Sequence, residues 1–211
     1  GVPHRATVDL DALARGLDHY DPALRSVALS APGGGQYLMA GRLELDVIDV
    51  GESDAQSLVD QLLATGEEIT DLELNAVGHT WAHDAATPLD LVVLSELDGT
   101  VLASASDRLV ASPGGLVARK ATTVTLRASS KPEKRASDLY DLGRLLSSTD
   151  GWAAELDSAP APLLDAVRAR VRQWFLDPAG VDRTFRDTRR FDEVRLDLDD
   201  VADAVSEAWP N

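Results

Sequence analysis

The chain has 211 residues, with 36 acidic against 20 basic side chains and a formal net charge of −16 with histidines neutral. A field this negative repels a polyanion unless the basic groups are gathered in one place, which excludes a general duplex-coating protein. The absence of cysteine excludes disulfides, thiolate zinc sites and cysteine nucleophiles. Hydrophobic residues at 44% and charged residues at 27% are ordinary globular composition, enough for one domain or two small ones. No apolar stretch approaches the roughly 20 residues that span a bilayer, and no basic segment followed by an apolar run opens the sequence, so a soluble cytoplasmic protein is the expectation.

In chain order, Arg5 to Asp11 alternates Ala6, Val8 and Leu10 with Thr7, Asp9 and Asp11, the period of a strand with one polar face. A helical stretch through Leu24 and a turn at Ala31-Pro32-Gly33-Gly34-Gly35 follow; the glycines lack the Lys-Ser/Thr that would make them a phosphate-binding Walker loop. Arg42 to Val50 predicts a second strand, with Glu44 and Asp46 sharing its polar side. From Ser53 to Gly66, Leu58, Val59, Leu62 and Leu63 recur at helical spacing behind Ser53 or Asp54 as N-cap. Three short strands are predicted over Leu72 to Val77, Leu89 to Leu94 and Thr100 to Ala103, the last two joined as a hairpin across Leu97-Asp98-Gly99.

After Ser112 the pattern becomes helical. Ser112-Pro113 is an N-cap followed by proline at the first helical position, opening a helix that carries Leu116, Lys120, Val124 and Arg127. A polar loop over Ser129 to Glu133 leads to a second helix from about Ser137 to Leu146. Further helices are predicted from Pro162 to Leu176 and from Asp200 to Trp209, with a break at Asp177-Pro178-Ala179-Gly180. The expected architecture is an α/β core with a mixed sheet over residues 1–110, followed by a helical region over residues 111–211.

Asp9 and Asp11 are two apart on a strand, so their side chains leave one face about 6.6–7 Å apart. Such a pair can share divalent cations, and magnesium takes oxygen ligands between one or two carboxylates and a substrate's phosphates. Asp46 lies on a strand able to pair with the first and supplies a third carboxylate. Taken alone, an Asp-x-Asp is more often a solvated strand-edge or turn pair than a metal site. The three lysines, Lys120, Lys131 and Lys134, fall in one window with Arg119, Arg127 and Arg135. This gathers positive charge into a local anion site, for which a nucleoside triphosphate is a natural occupant; a basic helix end that compensates the macrodipole is the alternative.

Taken in order, Arg5-Ala-Thr-Val-Asp-Leu-Asp11, Leu45-Asp-Val-Ile-Asp49, Ala111-Ser-Pro-Gly-Gly-Leu-Val-Ala-Arg-Lys120 with Arg127, and Lys134-Arg-Ala-Ser-Asp-Leu-Tyr-Asp-Leu142 resemble the AbiEii/AbiGii-type nucleotidyltransferases, which include toxins of toxin–antitoxin and abortive-infection systems. The resemblance spans residues 1–146. It implies a nucleotidyltransferase-like core and magnesium-dependent transfer of a nucleoside monophosphate from a nucleoside triphosphate to an acceptor: a transfer RNA, a protein or a small molecule. A cognate antitoxin is the further partner it implies, with no role for a membrane. Asp9, Asp11 and Asp46 match the metal-binding carboxylates, with Asp49 the second choice for the third. Lys120 matches the lysine that contacts nucleotide phosphates, Asp138 the downstream motif aspartate with Asp141 close behind it, and Arg127 a second phosphate contact. Family members carry a Gly-Gly or Gly-Ser element some twenty residues before the Asp-x-Asp. Gly1-Val2-Pro3-His4 resembles the tail of that element, and a nucleotidyltransferase-fold binding module without catalysis is the alternative expectation.

Other features read more plainly. His79 and His83 have the i, i+4 spacing of one helical face, but the glutamate of a His-Glu-x-x-His zinc motif is absent, so a surface or packing role is expected. Trp152, Trp174, Trp209 and Phe175 are expected to pack, and Arg168, Arg170 and Arg172 to form a solvated face with acidic partners. The arginines from Arg183 to Arg190 are interleaved with Asp182 and Asp187 and followed by Asp192, which weakens them as RNA contacts.

Overall fold

Four strands, Asp9–Ala14 (β1), Ser30–Gly33 (β2), Gln36–Leu38 (β3) and Glu44–Asp49 (β4), form one mixed sheet in the order β1-β4-β3-β2. The structure is a computed structural model that describes residues 9–95, 97–127, 131–191 and 195–210, with the backbone alone described for Asp9. Residues 5–8 of the first predicted strand lie outside these. β1 and β4 are parallel, with Asp11 opposite Asp46, and β3 is antiparallel to β4, with Gln36 opposite Asp46. Parallel neighbours need a crossover, which the helix Leu17–Val27 (α1) and the β2–β3 hairpin supply. The helix is tied to the sheet where the Tyr37 hydroxyl donates to Asp21 at 2.6 Å, with Tyr37 and Val47 buried.

The triple-glycine turn closes the β2–β3 hairpin, and one of its residues is indispensable. Gly35 has φ +78°, and a Cβ there would lie 2.1 Å from the Val47 carbonyl oxygen. That close approach lets the Val47 N–H donate to the Gly35 carbonyl at 2.8 Å.

The helix Ala55–Leu63 (α2) is capped by Asp54, which accepts from the Ser57 N–H at 2.8 Å. The strand predicted over Leu72 to Val77 is instead the start of a helix, Asp71–Asp84 (α3). A capping box decides it: Thr70 accepts from the Glu73 N–H at 3.3 Å, and Glu73 accepts from the Thr70 N–H at 2.8 Å. Leu74, Val77, Gly78 and Trp81 are buried at helical spacing while Leu72 is exposed, so the apparent alternation was a short sample of a longer period. Thr87–Leu94 (β5) and Val101–Val110 (β6) form the predicted hairpin, longer than expected and separate from the four-stranded sheet.

Ser112 caps the helix Pro113–Leu126 (α4), accepting from the Gly115 N–H at 3.2 Å. The helix Pro132–Ser148 (α5) begins five residues before the predicted Ser137, because Pro132 occupies a first-turn position and Arg135 and Ala136 are already buried. The short helix Trp152–Leu156 (α6) and the helices Ala161–Phe175 (α7), Pro178–Thr188 (α8) and Leu198–Ala208 (α9) complete the chain. The break predicted at 177–180 is a joint: Asp177 caps α8 by accepting from the Ala179 N–H at 2.9 Å.

One hydrophobic core runs from α2 and α3 through α4 to α9, with Val59, Val77, Val117, Leu139, Val167 and Val201 almost fully buried. It crosses residue 110, so α2 and α3 pack with the helices that follow them. Trp152, Trp174 and Trp209 are buried as expected, the first and last in edge contact at 5.0 Å. The arginine trio departs from a solvated face. Arg170 is buried and paired with Asp71 at the start of α3, Arg172 donates to the Trp209 carbonyl at 2.5 Å, and Arg168 pairs with Asp157 while lying over the Trp209 ring. Their stems seal the edge of the core and their heads meet acids and a helix C-terminus. Among the described residues, no helix is long and apolar enough to cross a membrane.

Candidate functional site

The polar face of the sheet and the helices α3 and α4 enclose a cleft of about 800 Å³. Residues directly opposite on paired strands project to one side, so Asp11, Asp46 and Gln36 line its floor together. The facing wall is built from helical stripes: Asn75 and His79 from α3, and Arg119, Thr123 and Arg127 from the end of α4. Four-residue spacing keeps 119, 123 and 127 on one face of α4. Lys120 is one position round the helix from that stripe.

The predicted site residues fall into two groups. Asp11 and Asp46 are side by side at the cleft; the Asp9 side chain lies outside the described residues, though β1 gives position 9 the same parity. Asp11 pairs with Arg119 across the cleft. Asp46 is half-buried, and among the described residues it has no hydrogen-bond or ion-pair partner. The second group is Lys120, Arg127 and Asp138, joined by Asp141. Lys120 Nζ donates to Asp138 Oδ1 at 2.8 Å and Asp141 Oδ2 at 2.9 Å, and Arg127 pairs with the other oxygen of Asp138. This cluster clamps α4 to α5. Burial works to lower the Lys120 pKa, but the two carboxylates overcome it and hold the ammonium above its usual value. Arg127 alone belongs to both groups, lining the cleft and pairing with Asp138.

Asp49, the second choice for the third carboxylate, accepts backbone N–H bonds from Gly51 at 3.0 Å, Leu17 at 3.1 Å and Gly16 at 3.3 Å. These bonds, that from Gly51 foremost, hold its pKa below the usual carboxylate value and anchor the start of α1. Lys131 and Lys134 are exposed, whereas Lys120 is tied to Asp138 and Asp141. Arg135 pairs with Asp187, the acid within the stretch from Arg183 to Arg190, and Arg190 of that stretch lies 4.0 Å from Glu133.

Of the cleft residues, sequence reasoning missed Asn75 and Thr123, placed Arg119 only within the basic window, and gave His79 a surface or packing role. Stepping back in fours from Arg127 would have found Thr123 and Arg119, but Asn75 was hidden by the reading of Leu72 to Val77 as a strand. The ring of His79 has a fixed tautomer: Nδ1 lies 2.8 Å from the Asn75 carbonyl, which only accepts, so Nδ1 carries the proton and Nε2 is an acceptor. Burial, reinforced by the Arg119 charge, lowers the His79 pKa against the opposing pull of the Asn75 carbonyl and Asp11. Its imidazole is therefore neutral near pH 7. His83 lies 3.5 Å from Asp84 and does not line the cleft. Among the described residues, no group of three or more His, Asp or Glu side chains is arranged to hold a metal ion.

A floor of carboxylates under a wall of guanidinium groups suits a ligand that brings both positive and negative charge, such as a phosphate ester with its counter-cation. No protein-family model, curated protein or solved structure matches this chain.

Proposed function

We propose that this chain is a magnesium-dependent nucleotidyltransferase-like protein that moves a nucleoside monophosphate from a nucleoside triphosphate to an acceptor hydroxyl, as the toxin of a toxin–antitoxin or abortive-infection system. The observation that carries this reading is the register of β1 and β4, which sets Asp11 beside Asp46 on the floor of a cleft whose far wall carries Arg119 and Arg127. The donor set fits a hard cation: Asp11 and Asp46 offer only carboxylate oxygens, and among the described residues neither oxygen of Asp46 has a partner. Magnesium, when bound, neutralises triphosphate charge and lowers the pKa of the attacking hydroxyl. Asp11 and Asp46 would hold the cation, and Arg119, now paired with Asp11, and Arg127 would face the phosphates. His79 Nε2 orients a ligand donor. Lys120 supports the reading from behind, by fixing through Asp138 the arginine that faces the cleft.

Calorimetry with magnesium and each of the four triphosphates tests the binding step, and incorporation of labelled nucleotide into transfer RNA or protein tests the transfer. Binding is expected only with magnesium and is expected to vanish in Asp46→Asn. Equal binding by that variant would sink the assignment. A second reading, a binding module of the same fold without catalysis, is favoured by one feature: Arg119 and Lys120 are already neutralised by Asp11, Asp138 and Asp141. Magnesium-dependent binding without incorporation would select it.

A further inference from the structure

Two hydrogen-bond acceptors on the α3 wall of the cleft are fixed in place by the groups around them. Thr122 turns its hydroxyl proton to the carbonyls of Ala118 and Arg119, each at 3.0 Å, and Thr123 donates to the Arg119 carbonyl at 2.8 Å. Each hydroxyl has one proton, so towards α3 both can only accept. Asn75 therefore offers them its amide nitrogen, at 3.3 Å and 3.1 Å, which leaves Oδ1 as a fixed acceptor. His79, one turn on, gives its Nδ1 proton to the Asn75 carbonyl and keeps Nε2 as an acceptor. Both residues are half-buried and line the cleft, and neither Oδ1 nor Nε2 has a partner among the described residues. We propose that Asn75 Oδ1 and His79 Nε2 form a sugar subsite, where they accept hydrogen bonds from the vicinal hydroxyls of a ribose. The inference rests on the nucleotide reading of the cleft and adds to it which part of the nucleotide α3 holds.

Position and chemistry both select a hydroxyl. Thr123 ties Asn75 to the turn of α4 midway between Arg119 and Arg127, and the ring of His79 feels the charges of Arg119, Asp11 and Arg127. The acceptors are thus neighbours of the groups that face phosphate. The sugar is the part of a nucleotide that adjoins its phosphates, whereas the base lies a sugar's length further off. A group held between the two helices must donate to α3 and accept from the guanidinium groups of α4. An ammonium cannot accept, and a carboxylate cannot donate. A hydroxyl does both, with one proton and two lone pairs. The two acceptors are four residues apart, about 6 Å of helical rise. Hydroxyls on neighbouring carbons, each about 2.8 Å from its acceptor, bridge a gap of that order. A deoxyribose leaves one acceptor without its donor, which is how a polar site rejects an analogue.

Calorimetry of the full chain with magnesium, comparing each of the four ribonucleoside triphosphates with its 2′-deoxy and 3′-deoxy forms, is the test. The wild type is expected to bind the ribose form about tenfold tighter than either deoxy form, whichever base is attached. His79→Phe, which keeps a ring but has no acceptor, is expected to lose the preference for one of the two hydroxyls, and Asn75→Leu the preference for the other. Equal wild-type affinity for ribose and deoxyribose forms overturns the proposal while the nucleotide reading stands, and that comparison needs no variant. A preference for both hydroxyls kept by either variant also overturns it, as does a preference set by the base in place of the sugar. Failure of every triphosphate to bind overturns the nucleotide reading itself and the subsite with it.

Discussion

Replacing Asp138 with asparagine removes the carboxylate shared by two cations of α4. Its side chain is 7% exposed, against 22% for Lys120 and 34% for Arg127. Breaking a fully buried pair by deleting one partner costs about 3–5 kcal/mol. Here Lys120 keeps Asp141, Arg127 reaches solvent, and the new amide still accepts one hydrogen bond, which together lower the expectation to about 2–3 kcal/mol. For a chain of this length that is a fall in Tm of about 4–12 °C. Urea unfolding followed by far-UV circular dichroism at pH 7 measures it, and a double-mutant cycle with Lys120→Met isolates the pairwise part. Since the Lys120 pKa is raised above 10.5, its contribution is complete below that pH and is lost only as pH rises through the higher folded value. A cost under about 0.5 kcal/mol, the range of exposed pairs, would refute the reasoning and return Lys120 to solvent as a free cation.

Gly35→Ala should cost at least about 2 kcal/mol in thermal unfolding, since its Cβ meets the Val47 carbonyl, whereas Gly34→Ala, with open space around it, should cost about 1 kcal/mol. Thr70→Ala should destabilise by about 1 kcal/mol and raise hydrogen exchange in the first turn of α3. His79 should titrate by NMR below 6.5, with the midpoint rising in Arg119→Gln; because its folded pKa is depressed, its contribution is present above pH 6.5 and is lost as pH falls towards the folded value. Asp49→Asn should loosen the start of α1, an effect present above pH 3.8 and absent in acid, where the wild-type carboxyl is itself protonated.

The punctuation of the fold was legible because caps and turns are local chemistry. Asp54, Ser112-Pro113 and Asp98-Gly99 mark where they should, as do the glycines of the β2–β3 turn. Failures came where six residues had to stand for a longer period. Leu72 to Val77 fits two alternatives, and the Thr70–Glu73 pair that decides between them lies partly outside the run. At the site, residue types and their order pointed to Asp11, Asp46, Lys120 and Asp138, but only the folded helix shows that Lys120 turns to Asp138 and which side of α4 faces the cleft.

By itself, the sequence determined the acidic field, the carboxylates of the first strand and the clustering of cations after Ser112, since these depend only on composition and neighbours along the chain. Tertiary structure alone decided which cations remain available. A rotation of one residue, about 100° around a helix, sends Arg119 to the cleft and Lys120 to Asp138 and Asp141, and no local pattern encodes which acids wait on either side.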